Sequence, residues 1–183
     1  YSPETQAVIH YKNDRYFLMN CLAGGQIGVR HWACGLKEVG GAEGTWRDAE
    51  DGVLGGNPIA QGSVDSTLGL SVLVGAKASA DAWYWMAAGQ DFREVATIDT
   101  VIRDKGPVEL LRRTQNYWRL WARKDKRIAC DLPDQVIDRY KQSLLIIYSQ
   151  IDHAGAILAA NDTDITQFAR DTYSYMWPRD GAL

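Results

Sequence analysis

A chain of 183 residues holds one ordinary domain or two small ones. Its apolar fraction of 46% argues against disorder, and a net charge of −3 with dispersed basic residues leaves no stripe that would bind nucleic acid. No uninterrupted apolar run approaches the roughly 18 residues of a membrane span, so no membrane partner is expected.

No signal peptide is visible, but Tyr1 rather than Met opens the chain, so a start further upstream is expected. Cys21, Cys34 and Cys130 are an odd number without metal-ligand spacing and read as unpaired core thiols of a reducing compartment. Cytoplasmic placement is therefore expected over secretion. Asn161-Asp-Thr forms a glycosylation sequon that matters only in a secreted protein. Seven tryptophans and nine tyrosines stand out, and such usage signals large core packing or flat faces for a ligand.

Taken in chain order, the first hundred residues read as β structure. Ala7 to Tyr11 and Tyr16 to Met19 are short apolar runs separated by the turn-like Lys12-Asn-Asp-Arg15. Gln26 to Trp32 partly alternates, as a half-buried strand does. Glycines from Gly40 to Gly62 then mark turns and bulges. Ser66 to Val74 and Ala82 to Ala88 complete a series of strands that suggests a sandwich. Near residue 100 the pattern changes. Gly106-Pro107 suits a helix start, and Val108, Leu111, Gln115, Trp118 and Ala122 follow helical spacing until Lys124-Asp-Lys-Arg127. Asp131-Leu-Pro-Asp134 opens a second helix, with Asp131 as its cap and Pro133 and Asp134 in its first turn. Val136, Ile137, Tyr140, Leu144, Ile147 and Ile151 form its expected buried stripe. Asp152 to Asp164 reads as an extended loop. Strands followed by helices, rather than alternating with them, argue against a doubly wound fold.

Most familiar chemistry is missing. There is no phosphate-binding glycine loop and no Gly-x-Ser-x-Gly elbow. His10, His31 and His153 are far apart and read as structural or surface histidines. Asp162, Asp164 and Asp171 resemble a calcium loop only loosely, lacking its glycine and its glutamate. Neither a metal nor a cofactor is expected. The stretch that concentrates chemistry is "DTYSYMWPRDGAL", Asp171 to Leu183. Arg179 offers a planar fork of donors and Asp180 two acceptors, a pair suited to the vicinal hydroxyls of a sugar. Trp177, Tyr173 and Tyr175 supply flat faces that match the C–H face of a pyranose, and Pro178 restricts its neighbours. The plainer alternative is an aromatic turn with a local Arg–Asp pair.

At these residues the chain resembles glycoside hydrolase family 15, the glucoamylases with their glucodextranase and trehalase relatives. The segments that carry the resemblance are "HAGAILAAND" from His153 and Asp171 to Ala182. "GTWRDAEDG" from Gly44 and "QGSVDSTLGLSV" from Gln61 are similar to late strands of that family's N-terminal β-sandwich. "YWRLW" from Tyr117 is similar to its linker helix, and "YKQSLLIIYSQID" from Tyr140 to the first helix of its catalytic domain. Together these cover nearly the whole chain; the tail motif is the specific one.

The resemblance implies β structure followed by α: the C-terminal part of an N-terminal β-sandwich (supersandwich) over 1–100, a linker helix over 101–130, and the start of an (α/α)6 barrel over 131–183. It implies that Arg179 and Asp180 hydrogen-bond the non-reducing-end sugar, with Trp177 and Tyr173 as the adjoining wall; Tyr175 carries no implied role. The implied reaction is inverting hydrolysis of α-glucosidic bonds in an α-glucan oligosaccharide or disaccharide. It uses two carboxyls about 6.5–9.5 Å apart. Both are expected downstream of Leu183, since the last glutamate here is Glu109. The isolated chain is thus expected to be inactive. A trehalase of the same family, a non-catalytic regulator resembling the phosphorylase kinase regulatory subunits, and a plain sugar-binding sandwich remain as alternatives. For the last, Trp83 and Trp85 share a strand face and would form a platform, core packing being the preferred reading.

Overall fold

The computed structural model describes residues 1–37, 44–124 and 132–158. The chain forms two compact units, Tyr1–Leu110 and Leu111–Leu183. Antiparallel strands come first and three helices follow, the order expected from the sequence.

In the first unit, β1 (Val8–Lys12) and β2 (Arg15–Ala23) make a hairpin in register Val8↔Met19 to Lys12↔Arg15. Asn13, at φ 57°, takes the left-handed turn position that Asn tolerates. Strand β3 (Gln26–Ile27) pairs with Leu22 and Ala23 of β2. Strands β4 (His31–Leu36) and β5 (Val64–Gly69) form a separate two-stranded sheet. Strand β6 (Ala82–Gly89) returns to pair with β2 along eight residues, Tyr16↔Gly89 to Ala23↔Ala82. Since a strand has two edges, β1 and β3 share the other edge of β2.

Two expected strands are corrected. Gln26 to Trp32 is not one strand. Gly28, at φ 107°, turns the chain sharply, donates to the Cys21 carbonyl at 2.9 Å, and leaves no room for a Cβ beside the Gln6 side chain. The chain then enters the second sheet as β4. Strand β5 also stops at Gly69 instead of reaching Val74, because its partner ends there: His31, the first residue of β4, lies opposite Gly69. Without a partner for its main chain, 70–74 is no strand, and Leu73 is 97% exposed.

Helical structure begins earlier than expected, at α1 (Phe92–Lys105). The Asp91 side chain accepts from the Glu94 amide at 2.8 Å and caps the helix, and the Glu94 carboxylate accepts from the Gln90 amide, one residue before the cap, at 2.7 Å. Phe92, Val95 and Ile98 then lie on one face and pack with Ala7, Leu18, Ala87, Ile9 and Tyr16 of the first sheet. On the opposite face, Val8, Cys21, Val29 and Cys34 form a second buried cluster with Met19, Trp32 and Leu68, so the two sheets face one another through apolar side chains. Cys21 and Cys34 are buried free thiols, as read from the sequence, and burial pushes Cys21 up. Cys130 lies outside the described residues.

One buried charge joins β2, β6 and α1. Asp99 is 2% exposed. It accepts from Asn20 Nδ2 at 3.0 Å and from Trp85 Nε1 at 2.8 Å, and forms an ion pair with Arg103 Nε at 2.8 Å. Asn20 and Arg103 both donate to the Thr5 carbonyl.

In the second unit, α2 (Pro107–Arg123) and α3 (Asp134–Ser149) meet through aromatic rings. Trp118 lies edge-on to Tyr117, Trp121 and Tyr148, and Trp121 is 4.9 Å from Tyr148. Pro133 is the N-cap of α3 rather than part of its first turn, and Asp131 lies outside the described residues. Of the stripe expected to be buried, Ile137 and Leu144 are half-buried, while Val136, Tyr140, Ile147 and Ile151 are exposed. The rings of α2 meet Tyr148, on a different line of the helix.

Asp99→Ala leaves the Trp85 indole without its acceptor, takes one acceptor from the Asn20 amide and leaves the Arg103 guanidinium without its ion-pair partner. It should lower stability by about 3–5 kcal/mol, read from the denaturant midpoint by tryptophan fluorescence. A loss below about 1 kcal/mol, the range of an exposed ion pair, would show that the network does not hold α1 to the sheet.

Candidate functional site

Tyr173, Trp177, Arg179 and Asp180, the candidate sugar-binding residues, lie outside the described residues. So do Asn161 and the Asp162, Asp164 and Asp171 cluster. What is described is the support that leads to them: the end of α3 and the loop to Leu158.

That loop is a tight turn rather than an extended segment. The Asp152 carboxylate accepts from the Ala154 amide at 2.8 Å and the Ala156 amide at 2.9 Å. The Asp152 amide donates to the Ala156 carbonyl, and Leu158 donates back to the Gln150 carbonyl at 2.8 Å, with Ile151 bridging Ile157. Gly155, at φ 88°, makes the reversal possible. The Asp-x-x-Gly spacing is the signal that identifies such a turn from sequence. Gln150, which caps α3, has a buried Oε1 without a hydrogen-bond partner among the described residues. Sequence reasoning passed over this residue, since nothing in its neighbours marks a buried acceptor.

The first unit has a cleft of about 510 Å³ lined by Tyr1, His10, Tyr11, Gln61 and Asp65. At its wall His10 Nε2 is 2.9 Å from Ser66 Oγ, a bond that crosses between the two sheets. Burial holds His10 below its usual range and the nearby Asp65 carboxylate opposes this, while the Tyr1 amino group adds to the lowering. Asp65 also accepts from the Thr45 amide at 3.1 Å. The Tyr1 ring lies flat on Trp32, centroids 3.6 Å apart. His31 and His153 are exposed. Among the described residues no three His, Cys, Asp or Glu side chains gather as a metal site.

Trp83 and Trp85 share a strand face, as expected. It is the face on which α1 packs, and the Trp85 indole donates to Asp99, so Trp85 is held in packing rather than offered as an open platform; Trp83 is half-buried. No described helix is long and apolar enough to cross a membrane. Comparison of the chain with protein-family models, curated proteins and solved structures finds no match.

Two outcomes test these assignments. His10 has a folded-state pKa below its unfolded value of 6.5, so the unfolded chain binds more protons between the two values. Stability should be full above pH 6.5 and fall as the pH drops through the folded value. Denaturant midpoints across this range should show a shallower slope for His10→Gln; equal slopes would exclude His10 as the source. Asp152→Ala should speed proteolytic cleavage within 150–158, because two amides lose their acceptor, and leave cleavage of the first unit unchanged.

Proposed function

We propose that this chain is part of a carbohydrate hydrolase similar to glycoside hydrolase family 15, acting on α-glucosidic bonds at non-reducing ends. The observation that carries the reading is Tyr173-Ser-Tyr-Met-Trp-Pro-Arg-Asp180, set after a helix and a turn. Arg179 and Asp180 grip the hydroxyls of the terminal sugar in this reading, and Trp177 and Tyr173 wall its apolar face. The chemistry of bond cleavage, protonation of the leaving oxygen and activation of water on the opposite face, falls to glutamates that follow Leu183.

Three features support it. The order of strands, then α2, then α3 is the order that the resemblance implies. Two antiparallel sheets that face one another suit the end of a sandwich. The exposed Val136, Tyr140 and Ile147 on α3 suit a helix built to pack inside a ring of further helices.

Two measurements test the proposal. The 183-residue chain should release no glucose from maltose. In a protein that carries this chain with the sequence downstream, Arg179→Ala or Asp180→Ala should lower kcat/KM by about 10- to 100-fold, with a nearly unchanged melt. That matches the ~1.5–3 kcal/mol of a hydrogen bond to a charged group. Loss of stability with no specific loss of turnover would assign the pair to an aromatic turn instead. Products from maltose, isomaltose and trehalose then separate the glucoamylase, dextranase and trehalase forms of the reaction.

A further inference from the structure

The segment 44–56 is tied to the second sheet at both ends. At its start the Thr45 amide donates to the Asp65 carboxylate at 3.1 Å, and Thr45 Oγ1 is 3.0 Å from Thr67 Oγ1, both partners on β5. At its end the Gly56 amide donates to the Trp32 carbonyl of β4 at 2.8 Å. Between these ties lie a 3-10 turn, Arg47–Ala49, and a closure in which the Asp48 carboxylate accepts from the Gly55 amide. Asp51 and Gly52 sit inside that closure. They form one of two Asp-Gly pairs in the sequence; the other, Asp180-Gly181, lies outside the described residues. Glycine has no side chain to shield its nitrogen from the carboxyl of the residue before it. Three observations add to this at Asp51. Its Oδ1 accepts from the Val53 amide at 2.8 Å, which folds the carboxyl forward over the Asp51–Gly52 peptide bond. Gly52 has φ 80°, so the turn itself requires glycine here. The Gly52 amide donates to the Ala49 carbonyl at 3.0 Å, one turn bond among exposed residues, and that bond is what must open before the nitrogen can react.

We propose that Asp51 is a self-modifying site, converted to isoaspartate through a cyclic imide with Gly52. The Gly52 nitrogen gives up its proton and attacks Asp51 Cγ. A C–N bond forms, a C–O bond of the carboxyl breaks, and the oxygen leaves as water. A second water molecule then opens the five-membered ring. Opening at the side-chain carbonyl restores aspartate. Opening at the main-chain carbonyl routes the chain through the side chain and frees an α-carboxylate. One water leaves and one enters, so the mass is unchanged and no other reactant is needed. The product carries one more carbon atom in its main chain, and that atom falls within the loop closed by Asp48 and Gly55. The Asp51–Val53 and Gly52–Ala49 bonds lose their geometry together, and the closure opens while Thr45 and Gly56 stay tied to the sheet.

The test is a tryptic map of the intact chain after incubation at neutral pH and body temperature, beside the same chain held unfolded in urea. The peptide Asp48–Lys77 contains Asp48, Asp51 and Asp65, so it carries its own controls. A second peak of equal mass should grow with time, and fragmentation should place the isoaspartate at Asp51 and leave Asp48 and Asp65 unchanged. Asp51→Glu should lose that peak, because its longer side chain would have to close a six-membered ring. Asp51→Asn should reach the same imide faster by losing ammonia, and its products should show the mass gain of an acid in place of an amide. In the converted fraction the Gly55 amide should exchange hydrogen faster, with the Gly56 amide unchanged. Conversion in urea but not in the folded chain would mean that the turn protects Asp51, and overturns the proposal. So does conversion spread evenly over the three aspartates, or a Gly55 amide that stays protected after conversion.

Discussion

The first unit is organised around a carboxylate that has no access to water. A buried charge is tolerated only when partners surround it, and each partner of Asp99 comes from a different place: the donors Asn20 from β2 and Trp85 from β6, and the ion-pair partner Arg103 from one turn further along α1. Asn20 and Trp85 are directly opposed in the β2–β6 ladder. A slip of one residue in that ladder would turn one of them to the other face and leave Asp99 short of a donor. The rotation of α1 is constrained in the same way, because only the face carrying Val95 and Asp99 satisfies both the apolar cluster and the polar one. Apolar burial supplies the attraction between α1 and the sheet; the polar network selects a single register for it.

The opposite face of the same sheet is built differently. Val8, Cys21, Val29 and Cys34 are packed without charge, and the crossing polar contact described there is His10 with Ser66 at the cleft wall. Burial disfavours the protonated imidazole there, and the nearby Asp65 carboxylate only partly offsets this. The second unit uses a third device, a set of edge-on aromatic rings between α2 and α3. This arrangement accounts for part of the tryptophan and tyrosine content as packing. Trp32, Trp85, Trp118 and Trp121 each have a ring or an acceptor as partner.

How far the fold was legible depends on how local its signals are. The β1–β2 hairpin, β6, α2 and α3 could all be read, because turn residues, a proline at a helix start and side-chain period lie within a few residues of the element they specify. Helix α1 carried equally local signals, Asp91 and Glu94 before Phe92, Val95 and Ile98, but they followed the strand-like "AWYWMAA" so closely that the β reading ran on through them. The ends of β3 and β5 were not legible, since a strand ends where its partner does. For the candidate site, the chemistry of Arg179, Asp180, Trp177 and Tyr173 was legible as a motif. The turn that precedes it was misread as extended because the Asp152 carboxylate, not the backbone alone, closes it.

By itself the sequence determined the order of strands and helices, the chemistry of the tail, and which residues are apolar enough to be covered. Those properties are set by backbone preference, periodicity and side-chain type, all of which act over a few residues. Only the tertiary structure decided what covers what: that α1 lies on Ala87 and reaches Trp85 through Asp99, that β4 leaves the first sheet for β5, and that Val136 and Ile147 of α3 stay exposed. These outcomes rest on partners such as Asn20 and Asp99, 79 residues apart. No local pattern records which of many compatible surfaces will meet, because the choice is made by hydrogen-bond satisfaction and burial across the whole unit.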